Sequence, residues 1–200
     1  DLHRVDRRQR QMCIRDRVGD VRPVKEITEF AHKNKIYVLV DAAQYIPHKN
    51  IDVQKVDVDF LAFSAHKMCG PTGVGVLYGK GELLDKMLPI SYGGGMNLNF
   101  TENNISLVEV PYRFEAGTPN ISGIISFSEA IKFLNMVSME YIERVESHLR
   151  KYLVSELKKI PYVKIYNENS ESSIVLINID GITSGAVSYT HLTLPTIYSV

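Results

Sequence analysis

Three short apolar runs, separated by polar and Gly/Pro-rich stretches, dominate the middle of the chain. They are residues 36–40 (IYVLV), 60–63 (FLAF) and 74–78 (VGVLY). Apolar runs of this length that are bounded by turn-forming residues are typical of buried strands. Because the runs are apolar throughout and do not alternate with polar residues, we expect a largely parallel or mixed sheet buried on both faces. Helices must then cover that sheet.

Helical periodicity appears on both sides of these runs. Residues 23–33 carry apolar positions at helical spacing after Pro23, which suits a first helical position, so the pattern predicts a surface helix. Residues 122–160 show the same periodicity over a length too great for one average helix, and we expect a break around Ser138 and Met139. The remaining patterned segments predict a loop or hairpin at residues 89–100 and two short strands at residues 162–166 and 173–179.

Polar side chains that can carry chemistry follow two of the three apolar runs. Asp41 and Gln44 follow the first, and Ser64, His66 and Lys67 follow the second. Ligands of open α/β sheets bind beyond the carboxyl ends of strands, so one pocket can hold all five residues. A set of an acid, an amide, a hydroxyl, an imidazole and an amine suits pyridoxal phosphate, which has an aldehyde, a ring nitrogen and a phosphate.

Structural roles remain open for several of these residues when each is taken alone. Lys67 also fits a loop lysine, and Asp41 fits a turn-forming residue. The glycine-rich residues 70–75 permit a tight turn but match no dinucleotide or P-loop fingerprint, so we expect them to be structural. Cys69 is a candidate nucleophile because it lies two residues after Lys67, but we favour a packing role for it.

The segments VDAAQ (residues 40–44), FSAHKMCGPTGVGVLYG (63–79) and RFEAGTPN (113–120) together resemble the class V aminotransferase-like family, most closely its SufS-type cysteine desulfurases. The resemblance implies an α/β protein with the type I fold of pyridoxal phosphate-dependent transferases. It implies part of the large, cofactor-binding domain at residues 18–138. The start of the small C-terminal α+β domain is expected at residues 139–185.

The resemblance also assigns roles to the candidate residues. Lys67 forms the Schiff base with pyridoxal 5'-phosphate and later moves the α-proton; Asp41 pairs with the pyridine nitrogen; Gln44 binds the ring hydroxyl oxygen; Ser64 and His66 bind the phosphate. Thr118 reaches the phosphate of the neighbouring subunit, which implies a homodimer. The implied reaction converts L-cysteine to L-alanine and an enzyme-bound persulfide, whose sulfur passes to an acceptor scaffold protein for iron–sulfur cluster assembly.

Other functions fit the same scaffold. Selenocysteine lyase activity is the nearest alternative, followed by a transaminase or an epimerase. A non-catalytic interaction protein is the alternative from another class, but the intact set of candidate residues argues against it. The persulfide cysteine and the substrate-carboxylate arginine of the family fall in regions that this chain lacks or replaces, so we expect the fragment itself to be inactive.

Composition excludes several other classes of function. The 23 Lys and Arg residues balance 23 Asp and Glu residues, so charge gives no reason to expect binding to nucleic acid or to an anionic membrane. No run approaches the roughly 18 apolar residues of a membrane-spanning helix. Two cysteines cannot form a disulfide framework or a four-ligand zinc site, so we expect no metal centre and a reducing, cytoplasmic location.

The two ends of the chain differ in composition from the rest. Residues 1–17 contain six arginines, which also suits a basic nucleic-acid arm or a presequence. However, RRQRQMCIRDR at the start and VSYTHLTLPTIYSV at the end resemble translated sequencing-adaptor tails. We therefore expect residues 1–17 and 186–200 to be non-native tails outside the packed core, because a core not selected to bury them does not offset the entropy of ordering them.

Overall fold

The computed structural model describes the backbone of residues 9–13, 21–101 and 104–183, and the side chains of residues 21–96 and 106–183. The chain forms two compact units. The described part of the first unit consists of residues 9–13, 22–101 and 104–140. The described part of the second unit consists almost entirely of the residues from Tyr141 onwards. No helix in the described part of the chain is long and apolar enough to cross a membrane.

A four-stranded mixed sheet forms the centre of the first unit. Its strands, in spatial order, are β1 (Gln9–Cys13), β2 (Tyr37–Asp41), β3 (Phe60–Ser64) and β4 (Gly75–Gly79). The first three strands are parallel, and β4 runs antiparallel to β3. The structure confirms all three apolar runs as strands, each within one residue of the predicted bounds.

The prediction that the sheet is buried on both faces is wrong for β4. In the central strands, Val38 and Val40 are fully buried and Leu61 is 1% exposed, whereas Val76 and Leu77 of β4 are 37% and 54% exposed. Among the strands that the structure describes, β4 lies at the edge of the sheet and has a neighbouring strand on one side only. An apolar run alone does not distinguish an edge strand from a central one.

Residues 9–13 belong to the segment expected to be a non-native tail outside the packed core, but they form a strand of the central sheet. This segment pairs in parallel with β2, from Gln9 opposite Tyr37 to Cys13 opposite Asp41. Pairing between strands uses main-chain groups, so the polar sequence QRQMC extends the sheet without an apolar pattern of its own. The non-native origin of the tails stays a prediction, and their other residues lie outside the described part of the chain.

Helices and a hairpin complete the described fold. They are α1 (Val24–Lys33), α2 (Val53–Val56), α3 (Gly81–Leu84), α4 (Ile121–Val137), α5 (Met139–Leu157), the 3-10 helices Ala65–Lys67 and Tyr112–Phe114, and the antiparallel strands β5 (Asn97–Thr101) and β6 (Asn104–Leu107). The helix predicted at residues 23–33 is confirmed. The predicted break is also confirmed, because Ser138 has a φ of 75° between α4 and α5.

A buried carboxylate ties the sheet to α1. Asp59 is 3% exposed, and its side chain accepts from the amide of Val38 at 2.7 Å and from Lys80 Nζ at 3.1 Å. His32 Nε2 lies 2.9 Å from the same carboxylate, and Asp57 lies 2.7 Å from Lys80 Nζ and 3.3 Å from His32 Nδ1. We refer to His32, Asp57, Asp59 and Lys80 as the Asp59 cluster.

The Asp59 cluster shifts the pKa values of two of its members. Hydrogen bonding to Lys80 lowers the pKa of Asp57. Burial by itself lowers the pKa of Lys80, but hydrogen bonds to Asp57 and Asp59 outweigh it and the pKa is raised overall. The ionised Asp57 carboxylate stabilises the fold at a pH above 3.8, the ordinary pKa of the group, and this contribution is lost as the pH falls through the lowered pKa. The charged Lys80 ammonium stabilises the fold at a pH below 10.5, its ordinary pKa, and this contribution is lost as the pH rises through the raised pKa.

We predict that Lys80→Met lowers the free energy of unfolding by about 1 to 3 kcal/mol at pH 7, because it removes a charged hydrogen-bond partner of a buried carboxylate. The difference from the unaltered chain should be largest at pH 5–9 and should shrink below about pH 4, where carboxyl groups protonate. Urea unfolding across this pH range measures the difference. Lys55→Met is the matched control, because Lys55 forms an exposed pair with Asp52. An equal effect of both substitutions would contradict the prediction.

The second unit contains most of α5 and a short antiparallel hairpin. The hairpin consists of β7 (Val163–Ile165) and β8 (Ile177–Ile179). The strand predicted at residues 162–166 is confirmed. The strand predicted at residues 173–179 is also present, but only its last three residues pair with β7.

Arg150 of α5 holds the loop between β7 and β8 through main-chain oxygens. Arg150 is 6% exposed, and its Nε and Nη1 donate to the carbonyl oxygens of Ser170 at 2.8 Å and Ile174 at 2.6 Å. Its Nη2 donates to the carbonyl oxygens of Asn167 and, at 3.4 Å, Glu168. Burial lowers the pKa of Arg150. The guanidinium thus satisfies backbone acceptors that a smaller cation cannot reach together.

We predict that Arg150→Lys destabilises the second unit by about 1 to 3 kcal/mol, because an ammonium cannot replace the fork of donors to the half-buried carbonyl oxygens of the loop. Hydrogen exchange of the amides of β7, followed by mass spectrometry, should show faster exchange. Arg144→Lys provides the control, since Arg144 is exposed and lies over the ring of Tyr141. Unchanged β7 exchange in Arg150→Lys would refute the structural role of the guanidinium.

Candidate functional site

Parallel pairing of β2 and β3 brings the two predicted polar sets to one edge of the sheet. Asp41 ends β2 and is paired with Ala62 of β3, while Ser64 ends β3 two residues further on. The amide of Ala42 donates to the carbonyl oxygen of Ala62 at 2.8 Å and continues the pairing beyond β2. Both strands therefore leave the sheet at the same edge.

A hydrogen bond orients the carboxylate of Asp41 at the start of the turn after β2. Its Oδ1 accepts from the amide of Ala43 at 3.0 Å, and the side chain is half-buried. The following turn closes with the amides of Tyr45 and Ile46 donating to the carbonyl oxygen of Ala42. Gln44 lies in this turn and is exposed. The structure thus combines a turn-forming role for Asp41 with a position at the sheet edge.

Lys67 lies at the end of the 3-10 helix Ala65–Lys67, directly after β3. Lys67 and Ser64 are half-buried and His66 is exposed. Main-chain hydrogen bonds fix this turn: the amide of Ala65 donates to the carbonyl oxygen of Val74 at 3.0 Å, and the carbonyl oxygen of Ala65 accepts from two later amides. The lysine is therefore carried by a backbone anchored to both β3 and the start of β4.

Thr118 lies in an exposed segment that leads into α4. The segment is held at one end by the amide of Gly117, which donates to the carbonyl oxygen of Gly94 at 3.0 Å. At the other end Asn120 caps α4, and its Oδ1 accepts from the amide of Gly123 at 3.0 Å. The structure positions this threonine on a defined backbone, and its expected role in a neighbouring subunit stays a prediction.

The predicted packing role of Cys69 is wrong. Its side chain is exposed and its backbone has a φ of 58°, in the left-handed region. The next residue, Gly70, makes the close contact with the protein interior, because a Cβ placed there would lie 2.8 Å from the carbonyl oxygen of Ala65. The turn therefore directs the glycine inward and leaves the thiol in solvent.

Two features of the site were not predicted from the sequence. One is the cap of α4 by Asn120, for which an asparagine just before the apolar helical pattern was an available signal. The other is the contact of Gly70 with Phe127 of α4, at 2.8 Å from a Cβ placed on the glycine. Only the tertiary structure shows that contact, since the two residues are far apart in the sequence.

The chemistry of the residues at this edge fits a cofactor that has an aldehyde, a ring nitrogen and a phosphate. Lys67 offers a half-buried amine and Asp41 a half-buried carboxylate, at the ends of neighbouring parallel strands. Ser64 and His66 add a hydroxyl and an imidazole within three residues of the lysine. An amine reacts with an aldehyde, a carboxylate favours a protonated ring nitrogen, and the other two groups can donate to a phosphate.

Comparisons with known proteins identify the family of this chain. Residues 12–192 match the family described as Aminotransferase class-V. A probable cysteine desulfurase of Halalkalibacterium halodurans is 41% identical over 171 residues, which is 86% of this chain and 42% of that protein. A cysteine desulfurase of Wigglesworthia glossinidia brevipalpis is 44% identical over 158 residues, which is 78% of this chain and 38% of that protein.

Solved structures show the same fold. The apo structure of a cysteine desulfurase from Thermococcus onnurineus NA1 superposes with a TM-score of 0.83 at 32% identity, over 90% of this chain and 46% of that one. The cysteine desulfurase CsdA of Escherichia coli gives 0.81 at 33% identity, over 89% and 45%. The chain thus spans less than half the length of these relatives. The predicted α/β class and type I fold are confirmed, and the chain belongs to the class-V aminotransferase family.

Proposed function

We propose that this sequence is part of a pyridoxal 5'-phosphate-dependent cysteine desulfurase, which converts L-cysteine to L-alanine and an enzyme-bound persulfide. The observation that carries the proposal is the shared sheet edge, where β2 ends at Asp41 and β3 leads directly into the turn of Lys67. Similarity to proteins named cysteine desulfurase supports it. Because the chain spans less than half of those relatives, we assign the activity to a longer protein that carries this sequence.

In this proposal each residue of the edge has one task. The bound cofactor supplies an electron-withdrawing ring that stabilises negative charge on the substrate. Lys67 Nζ would hold the cofactor covalently and, when free, would take the α-proton of the substrate. The Asp41 carboxylate would keep the ring nitrogen protonated. Gln44 would donate to the ring hydroxyl oxygen, and Ser64 and His66 would donate to the phosphate.

We extend the proposal to a homodimer in which Thr118 of each protomer reaches the phosphate bound by its partner. The exposed position of Thr118, on a segment fixed between Gly94 and Asn120, supports the proposal because the side chain is accessible to another chain. The persulfide sulfur then passes to an acceptor scaffold protein for iron–sulfur cluster assembly, in the cytoplasm. Selenocysteine lyase activity is distinguished from this function by comparing turnover of selenocysteine and cysteine.

Lys67 gives the most direct test of the proposed function. In the longer protein, treatment with pyridoxal phosphate and then borohydride should leave a stable adduct that mass spectrometry maps to Lys67. Lys67→Arg should lower cysteine-dependent alanine release by at least about 100-fold, the usual contribution of a positioned acid or base. Lys86→Arg, at an exposed lysine of the same unit, should leave the rate unchanged. An adduct confined to any other lysine would rule out the assignment.

Asp41 provides a test of the ring-nitrogen contact. Asp41→Asn keeps the size of the side chain but removes its charge, so we expect cofactor binding within about tenfold of normal and a fall in kcat of about 100-fold or more. Fluorescence titration measures cofactor binding, and alanine release measures kcat. Asp85→Asn, at an exposed aspartate, is the matched control. Normal kcat in Asp41→Asn would show that this carboxylate does not hold the ring nitrogen protonated.

A further inference from the structure

An aromatic side chain of α4 packs against the turn that carries Lys67. Phe127 is 6% exposed and forms an apolar cluster with Ala65 and Ala130, against which Phe63 packs. The ring centroids of Phe127 and Phe63 lie 6.5 Å apart with the rings tilted by 60°, an arrangement that aromatic pairs favour. Phe63 is the penultimate residue of β3, so the contact joins α4 to the strand end that precedes the lysine.

Gly70 closes the other side of the same contact. A Cβ at this position would lie 2.8 Å from Cδ2 of Phe127 and 2.8 Å from the carbonyl oxygen of Ala65, and both separations are too short for carbon. That carbonyl oxygen accepts from the amides of Met68 at 2.8 Å and Gly70 at 3.0 Å. Hydrogen bonds to the carbonyl oxygen of Ala65 therefore close the turn of residues 65–70, and the turn packs against the ring of Phe127.

A second contact ties the start of α4 to the chain that follows this turn. A Cβ at Gly123 would lie 2.7 Å from Cγ2 of Val74, and the carbonyl oxygen of Val74 accepts from the amide of Ala65. The helix thus meets the lysine turn directly through Phe127 and indirectly through Val74. The contacts of α4 with Gly70 and Val74 fix the position of the backbone at Lys67 relative to β3, because close-packed interiors resist small displacements.

We propose that Phe127 and Gly70 are positioning residues for Lys67: they hold the backbone of its turn in the place from which Nζ meets the cofactor. The proposal rests on the proposed function, in which Lys67 is the lysine that binds pyridoxal phosphate. A displacement of about 1 Å at a reacting group can lower a rate about 100-fold. Weakening the contact between Phe127 and the turn of residues 65–70 is therefore expected to lower the reactivity of Lys67.

The test compares the reactivity of Lys67 with that of Lys86 in the same molecule. The longer protein is exposed to limiting pyridoxal phosphate, reduced with borohydride and digested, and mass spectrometry gives the ratio of label on Lys67 to label on exposed Lys86. We expect Phe127→Leu to lower this ratio at least tenfold. Phe133→Leu should leave it within twofold, since Phe133 belongs to the same helix but is 49% exposed. The melting temperature of each variant is measured alongside, and labelling is carried out where all variants are folded.

Gly70→Ala and Phe127→Met extend the test to variants with other defects. Gly70→Ala adds one carbon in the contact and should also lower the ratio at least tenfold. Gly81→Ala, where an added Cβ has no atom within 4 Å, should not lower it. Phe127→Met has about the volume of Phe127→Leu, but its unbranched side chain adapts to an irregular space, so it is the second variant to use if Phe127→Leu does not fold. A flexible thioether still holds the turn less firmly than an aromatic ring does, so the ratio of label on Lys67 to label on Lys86 should fall.

The outcomes separate the positioning role from the proposed function. Preferential labelling of Lys67 that survives both Phe127→Met and Gly70→Ala would overturn the positioning role and leave the proposed function intact. A lower melting temperature with an unchanged ratio has the same meaning, because it shows a purely structural role. If Lys67 in the unaltered protein is labelled no more than Lys86, the proposed role of Lys67 fails and the positioning role fails with it.

Discussion

A buried carboxylate must find partners to stay charged, and Asp59 finds them in three other parts of the first unit. The amide of Val38 belongs to β2, His32 to α1, and Lys80 follows β4. Satisfying one charge therefore requires these elements to keep a single arrangement. The same arrangement sets Asp41 opposite Ala62 at the other end of the strands. The Asp59 cluster thus lies at one end of the strands, and the candidate site residues lie at the other end.

The two edges of the sheet carry similar residue types and do different work. Asp57, Asp59 and Lys80 neutralise one another at short distances, which suits a structural cluster. Asp41 instead ends β2, and Lys67 follows β3 in the next turn, so both lie at the carboxyl ends of parallel strands, where ligands of α/β sheets usually bind. An acid and an amine in a sequence do not by themselves distinguish these cases. The topology of the sheet does, because it decides which edge each pair reaches.

Sequence patterns predicted the parts of the fold that depend on local chemistry. The bounds of β2 and β3, the helix α1 and the break at Ser138 follow from periodicity and turn residues. The roles of the site residues come from motifs and stay predictions. The exposure of β4 depends on the order of strands in the sheet. The presence of β1 in that sheet depends on main-chain pairing, for which the polar sequence QRQMC gives no hydrophobic signal. The orientation of Cys69 and the packing of the Lys67 turn against Phe127 also depend on tertiary structure. The inclusion of β1 and the contact of Gly70 with Phe127 therefore involve partners distant in sequence, whereas the missed cap of α4 by Asn120 is local.

Recognition of main-chain oxygens by Arg150 has a consequence for how the second unit can vary. The guanidinium donates to main-chain carbonyl oxygens along the loop from Asn167 to Ile174. Substitutions that keep the backbone path leave this contact intact, so the arginine can hold many different loop sequences in one shape. Three side chains of the loop also hold its backbone: Asn167 bonds the main chain of Ile174 and Leu176, Ser170 Oγ accepts from the amide of Ser172, and Ser172 Oγ accepts from the amide of Ile174. Mutational drift in this loop is thus constrained at these three positions and tolerated at the others.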